Sequence, residues 1–486
     1  MGSSYYPGCC GITRRGFLLG AGAGLAAGVP LTWLGLRGWD GLRGDPALAS
    51  FRGKSVEIKK PEFAMPGRFP GQVVEVHNPL SVRDDHTIEP QAVKVMMDRG
   101  MCALTGADHP EEAWKSFFTV GDVVGVKVNP VGRKRKKQDV GSISSPAVVR
   151  EIVNGLLAAG VKAKDIIIFE RYANEFIEAK YDNDLKDLWE KGVTWLASAA
   201  EYDGTQWEID GFPRGRAAYS PELAKHVVGY DPDVFMHMGF ATSKNRDKDI
   251  DHPSNRDERR YRSHLSVIAT RLVNKVITIP VLKDHRSGGV TMALKNLSHG
   301  FNNNVARSHL GDYFRRTGYQ SGPNQCNTFI PTAASHESLR KVATLHIMDG
   351  LIGVYEGGPG SWNASWGTWP HQSLFFATDP VAMDHVGWDI IDIKRVEMGW
   401  PPVAHMGLIQ ENIFTKLSRN LAALAAASAH EASTLAVASK NLQDSRRSEN
   451  FDRRQPEHVI LAETIGLGIF DANKIRHQRI ELNSLA

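Results

Sequence analysis

Residues 122–169 read as strand, helix, strand, and that order commits the chain to parallel strand pairing. Asp122-Val-Val-Gly-Val-Lys-Val128 is β-branched and bounded by turn residues, as a buried strand requires. Ser144-Ser145-Pro146 supplies a side-chain cap and a proline whose missing N–H is harmless in the first helical turn. Val148, Val149, Ile152, Val153, Leu156 and Leu157 form an apolar stripe at helical spacing that stops at Gly160, and Ile166 to Phe169 is the second strand. Two strands joined in this way lie parallel, with a right-handed crossover.

The same grammar recurs along the chain. Gln72–His77, Val234–Met238, Val276–Leu282, Leu345–Met348 and Ser373–Ala377 are runs of strand length. Residues 290–297 and 381–391 suit helices, the second opened by Asp379-Pro380 as cap and first residue. The expected fold is therefore α/β, a largely parallel sheet flanked by helices. Pro280 sits badly inside a strand, because proline lacks a ladder donor.

A chain of 486 residues is long enough for about three domains, or two large ones. Its 42% hydrophobic and 23% charged residues are globular values, and a net charge of +4 is too small to make nucleic acid an obligatory partner. The beginning of the chain has a different character. Thr13-Arg14-Arg15-Gly16-Phe17-Leu18-Leu19 leads into a Gly/Ala/Leu-rich stretch ending near Leu36, and Ala47-Leu48-Ala49 has the small residues that a signal peptidase cuts after. Residues 1–49 thus read as a twin-arginine signal peptide. The protein is expected to be exported by the twin-arginine translocation machinery to the periplasm or another extracytoplasmic space. Left uncut, the 21 residues from Gly16 to Leu36 could anchor the chain, which is the one membrane contact the sequence offers.

The remaining chain divides into a main body over residues 50–415, an Ala/Ser-rich helical insertion over 416–447 and a segment over 448–486 that packs back on the body. Cys9 and Cys10 leave with the signal, so the exported part keeps Cys102 and Cys326, whose pairing spacing does not decide. Without a C-x-x-C in that part, a protein-ligated iron–sulfur cluster is not expected, and the sequence names no cofactor.

Ligands of open parallel sheets bind at the carboxyl ends of the strands. Polar residues gather at those ends here: Lys127 and Asn129, Glu170, then Lys283-Asp284-His285-Arg286 before Gly288-Gly289, then Asp349, Glu356 in the turn Glu356-Gly-Gly-Pro-Gly360, and Asp379. Lys295-Asn296 follows in the next helix. Lys283, His285 and Lys295 are the catalytic candidates, since amines and an imidazole can move protons. Lys127, Asn129, Glu170, Asp284, Arg286 and Asn296 are the ligand-binding candidates, and Asp349, Glu356 and Asp379 could hold a metal. Asp284 could orient His285, although adjacent strand residues point to opposite faces. Each feature also has a plainer reading: strand-end lysines are usually solvated, the Arg133–Lys137 basic run is an ordinary loop, and Asp384-His385 could be a cap. Trp362, Trp366 and Trp369 are core residues or a partner surface. The chain has no phosphate-binding P-loop, no H-E-x-x-H, no G-x-S-x-G elbow and no G-x-G-x-x-G after a strand.

Taken in order, Val-Gly-Val-Lys-Val-Asn129, Ser144-Ser-Pro-Ala-Val-Val149, Ile279-Pro-Val-Leu-Lys-Asp-His285, Ala293-Leu-Lys-Asn-Leu297, Met348-Asp-Gly350, Glu356-Gly-Gly-Pro-Gly360 and Asp379-Pro-Val-Ala-Met-Asp384 resemble the family catalogued as domain of unknown function 362. The resemblance runs over most of residues 71–475. Members of that family are often linked to ferredoxin-type iron–sulfur modules, whose cysteines this chain lacks. A looser likeness of strand–helix–strand pattern joins it to the nickel-pincer lactate racemases, by architecture alone. Two functions of different class fit. One is an enzyme of isomerase or oxidoreductase type acting on a small anionic substrate by Lys/His/Asp acid–base chemistry. The other is a non-catalytic exported binding or assembly factor.

Overall fold

The computed structural model describes residues 63–135, 140–202, 206, 208–237, 261–285, 288–305, 308, 326–363, 365–400, 402–403 and 456–485. The signal at 1–49, the insertion at 416–447 and Arg286 lie outside the described residues.

In chain order the elements that matter are β1 (Gln72–His77), α1 (Pro90–Thr105), β2 (Val124–Lys127), α2 (Pro146–Ala158), β3 (Ile166–Tyr172), β4 (Thr194–Ala199), β5 (Tyr230–His237) and β6 (Arg262–Ser266). They continue with β7 (Lys275–Thr278), β8 (Val281–His285), β9 (Gly289–Val290), α3 (Met292–His299), α4 (Cys326–Ala334), β10 (Ala343–Glu356), β11 (Gly367–Ala377), α5 (Pro380–Glu397), α6 (Glu457–Thr464) and β12 (Arg476–Glu481). The main sheet runs β12-β1-β11-β10-β7-β2-β3-β4, with β8 paired to β10 and β9 to β8. From β10 to β4 every neighbour is parallel, and β11 is antiparallel to both β10 and β1. The fold is α/β with a mostly parallel sheet.

The strand–helix–strand unit forms as its residues dictate. Ser145 caps α2 by accepting from the Ala147 N–H, and Val148, Val149, Ile152, Val153 and Leu156 are buried against the sheet. Each such side chain contributes about 1.5–3 kcal/mol on leaving water. Alternation splits the strands between two cores. Val124, Val126, Ile166, Ile168, Ile277, Leu345 and Ile347 face α1 and α2. Phe169, Val276, Met348 and Phe375 face α3, α4, α5 and α6. No helix among the described residues is long and apolar enough to cross a membrane.

Three expectations change. Residues 276–282 are not one strand: the ladder stops at Thr278 and resumes as β8 at Val281, so Pro280 lies in the break, where its missing N–H leaves no gap. Its carbonyl still accepts from the Asp349 N–H at 2.8 Å. Residues 234–238 do not join the main sheet; β5 pairs antiparallel with β6 in a separate two-stranded sheet. Finally, β10 extends well beyond residues 345–348 because β8 and β11 pair along its second half. Cys102 and Cys326 are both free thiols.

Candidate functional site

The chain leaves β2 toward β3 and β4 on one side, then returns to β7 on the other side of β2. Connections therefore diverge between β2 and β7, the arrangement that opens a crevice at the carboxyl ends of a parallel sheet. Lys127 ends β2 and Thr278 ends β7, and the two are in register. His346 of β10 is in register with Thr278, so Lys127, Thr278 and His346 form one row on the α3 face. His346 Nδ1 lies 2.7 Å from the Thr278 hydroxyl, and burial pushes the imidazole down to about 3, which keeps it neutral.

Lys127 is not solvated. Its ammonium donates to Glu170 Oε2 at 2.6 Å and to the Val128 carbonyl at 2.7 Å, with both side chains buried. Burial pulls the lysine down and the carboxyl up, so the pair is held by hydrogen bonds in a setting that disfavours either charge alone. Gly300, just beyond α3, is required here: a Cβ at that position would stand 2.7 Å from Lys127 Cε. Next to Glu170, Arg171 donates to the His299 carbonyl at 2.7 Å and so ties β3 to the carboxyl end of α3.

A second group forms where β8 ends over α3. His285 Nδ1 accepts from the Gly288 N–H at 3.0 Å, which puts the proton of a neutral ring on Nε2. Nε2 lies 2.5 Å from Lys295 Nζ, so the imidazole and the amine share one proton. Burial, the dominant cause, pushes Lys295 down to about 8. Lys283 is 0% exposed, and its Nζ has no hydrogen-bond partner. Burial, with the charge at Lys295 as the second cause, brings it down to about 7. The two amines cannot both carry charge comfortably without a counter-ion. Asn296, also buried on α3, leaves its Oδ1 without a partner.

The carboxylates are arranged differently from the sequence expectation. Asp284 does not orient His285. It accepts from the Gly358 N–H at 2.6 Å and lies 3.8 Å from Arg395, which is fully buried and bonded to Glu356 at 2.6 Å. Gly358 has no room for a side chain, because a Cβ would be 2.0 Å from the Asp284 carbonyl. Asp349 accepts from the Ser145 N–H at 2.7 Å and the Leu351 N–H at 3.0 Å, and Asp379 caps α5. Asp349, Glu356 and Asp379 thus belong to three separate hydrogen-bond sets, and among the described residues no three His, Cys, Asp or Glu side chains gather as a metal shell. Asn129 is spent on its own turn, accepting from the Val131 N–H at 3.2 Å. Asp384 does cap a helix, though not its own. It accepts from the Ala293 and Leu294 N–H groups at 2.6 and 2.9 Å and fixes the start of α3.

Two contributors were not legible from strand ends. His458 of α6 is fully buried with neither ring nitrogen hydrogen-bonded, and the Lys295 charge acts on it. Cys326 of α4 is buried close enough to Lys295 for each to shift the other. Both come from helices, where a lone His or Cys at an apolar face looks like core.

Residues 241–389 match the model of a family described as a domain of unknown function, DUF362. That segment is narrower than the span of resembling motifs, and it holds Lys283, His285, Lys295 and Asn296 but neither Lys127 and Glu170 nor His458. Comparison with curated proteins finds no match.

Proposed function

We propose that the protein binds a small anion at the carboxyl edge of β2, β7 and β8 and acts on it by proton transfer, as an enzyme of isomerase or oxidoreductase class. One observation carries the reading: the Lys283 amine, near enough to Glu170 for their charges to interact, is fully buried and has no partner. An unsatisfied buried donor costs about 1–3 kcal/mol, and an anionic oxygen would relieve it while restoring the charge. His285 and Lys295, already joined through one proton, form the relay that would take up or return a proton. Buried carboxylates in this region accept from backbone N–H groups or pair with Arg395 or Lys127, so acid–base work falls to the nitrogen groups.

Anion binding should therefore take up a proton. Lys283, near 7 when the site is empty, is neutral above that pH and must be protonated to hold an anion. Affinity for oxalate, used as the probe, is expected to fall by up to about tenfold per pH unit between pH 7 and 9 and to level off below pH 7. Titration calorimetry in two buffers of different ionisation enthalpy reads the uptake directly. Affinity independent of pH, with no proton taken up, would remove the lysines from the site. Proton-linked binding without turnover on any small acid would favour the non-catalytic binding factor.

The proposal includes export, for which Arg14-Arg15 and the Gly/Ala-rich stretch after them are the support. Changing both arginines to lysine should leave the protein in the cytoplasmic fraction. Unaltered export of that variant would mean another route.

A further inference from the structure

We infer that Lys283 is a nucleophile whose free amine condenses with the carbonyl group of a small 2-oxo acid to form an imine. The inference rests on the anion-binding reading above and names the substrate class of that site.

Four lysines show the contrast. Lys127 is bonded to Glu170 and a carbonyl, Lys275 to Asp122 and the Phe117 carbonyl, and Lys295 to His285. Lys283, as deeply buried as any of them, has none, and it is the one lysine among the described residues whose buried amine lacks a partner. A lysine with a structural role would be paired, since an unpaired ammonium in this setting is costly. A lysine that acts as a nucleophile needs the opposite: a free lone pair, kept by burial and by a second amine close by. Lys295 is that second amine, and the proximity of its charge to Lys283 supports the placement.

The surroundings also fit the product. Asp284, Glu175 and Glu170 all act on Lys283 in the direction that favours positive charge at its nitrogen. A protonated imine carries a positive charge at that same nitrogen. Burial frees the lone pair near neutral pH, and the three carboxylates offset part of the cost that the same burial sets on the iminium.

The step balances as follows. With the anion held, protonated Lys283 passes its proton to the His285–Lys295 pair; the freed lone pair forms the C–N bond, the carbonyl π pair moves to oxygen, and that oxygen takes a proton from the same pair. The carbinolamine nitrogen gives one proton back to the pair, which hands it to the hydroxyl; that group leaves as water and the iminium remains. Over the whole step one amine, one carbonyl and one proton give one iminium and one water. The iminium acidifies the adjacent carbon–hydrogen bond, and the same His285–Lys295 pair is placed to accept that proton.

The test uses the full chain with pyruvate and sodium cyanoborohydride near pH 7, with the reduced adduct located by peptide mass spectrometry. The adduct is expected on Lys283, forming about tenfold or more faster than on Lys115, whose side chain is 53% exposed. Oxalate carries the carboxylates without a ketone carbon and should protect Lys283 by competition. Lys283→Arg should lose the adduct while its far-ultraviolet circular dichroism stays that of the parent. An adduct distributed over surface lysines, or lodged on Lys295, overturns the inference. Undiminished oxalate binding with no adduct overturns the nucleophile but leaves the anion site standing. An adduct on Lys283 that oxalate does not prevent supports the nucleophile and overturns the shared anion site. Neither adduct nor oxalate binding overturns both.

Discussion

Replacing Lys283 by methionine is expected to stabilise the folded chain by about 3 kcal/mol at pH 7 while abolishing ligand binding. Methionine matches the unbranched reach of the lysine stem and leaves no polar atom to bury. Burial pulls the folded lysine down to about 7, against a reference value of 10.5. One pKa unit is about 1.4 kcal/mol, so most of that difference is withheld from stability at neutral pH. Between pH 7 and 10.5 the unfolded chain binds the proton and the folded chain does not, so this group makes stability rise with pH across that window. The advantage of Lys283→Met should therefore be full at and below pH 7 and shrink as pH approaches 10. Urea unfolding at pH 6, 7 and 9 measures it. A variant less stable than the parent, or a gap that ignores pH, would show that the lysine is paired in solution and would remove the basis of the proposed site. A gain in stability joined to a loss of binding is what a functional group held against its own preference produces.

Asp379→Ala should move stability the other way, by about 3–5 kcal/mol. The Asp379 carboxylate accepts four backbone N–H groups. Val381 and Ala382 in the first turn of α5 donate to Oδ1, each at 2.9 Å. Gly71 at the start of β1 and Ile469 donate to Oδ2, at 2.9 and 3.0 Å. Alanine removes the helix cap and strands two further donors, the buried Gly71 N–H and the half-buried Ile469 N–H, and each loss falls in the range of about 1–3 kcal/mol. Asparagine should be nearly as harmful, because its amide would turn N–H groups toward one pair of donors. Thermal unfolding with and without a chelator checks this. If the loss vanishes when the parent is treated with chelator, Asp379 is a metal ligand and the capping account fails.

The sequence made the framework legible where one residue type had one physical use. Ser145-Pro146 and Asp379-Pro380 could only open helices, and the β-branched runs at 124–127 and 166–169 could only be buried strands. Pro280 announced a break without revealing that the chain would resume as β8 alongside β10 rather than β2. The gathering of Lys283, His285 and Lys295 was legible because strand ends and the following helix converge. The partners were not. Nothing local distinguishes Arg395, in the last turn of α5, from a lysine or arginine complementing the helix dipole, yet it is fully buried between Asp284 and Glu356. His458 is equally silent, since its place depends on how α6 packs against α4 and α5.

The position of β7 and β10 within the sheet has a practical consequence. The stretch recognised by the family model, 241–389, contains β7, β10 and β11 but neither β2 nor β1, the strands that cover them on either side. Excised at those bounds, it would turn two apolar margins with unpaired backbone groups toward water, and such margins seek each other and aggregate. In this chain the matched stretch is the interior of a fold rather than a detachable module. Expression trials should retain the chain from β1 through β12.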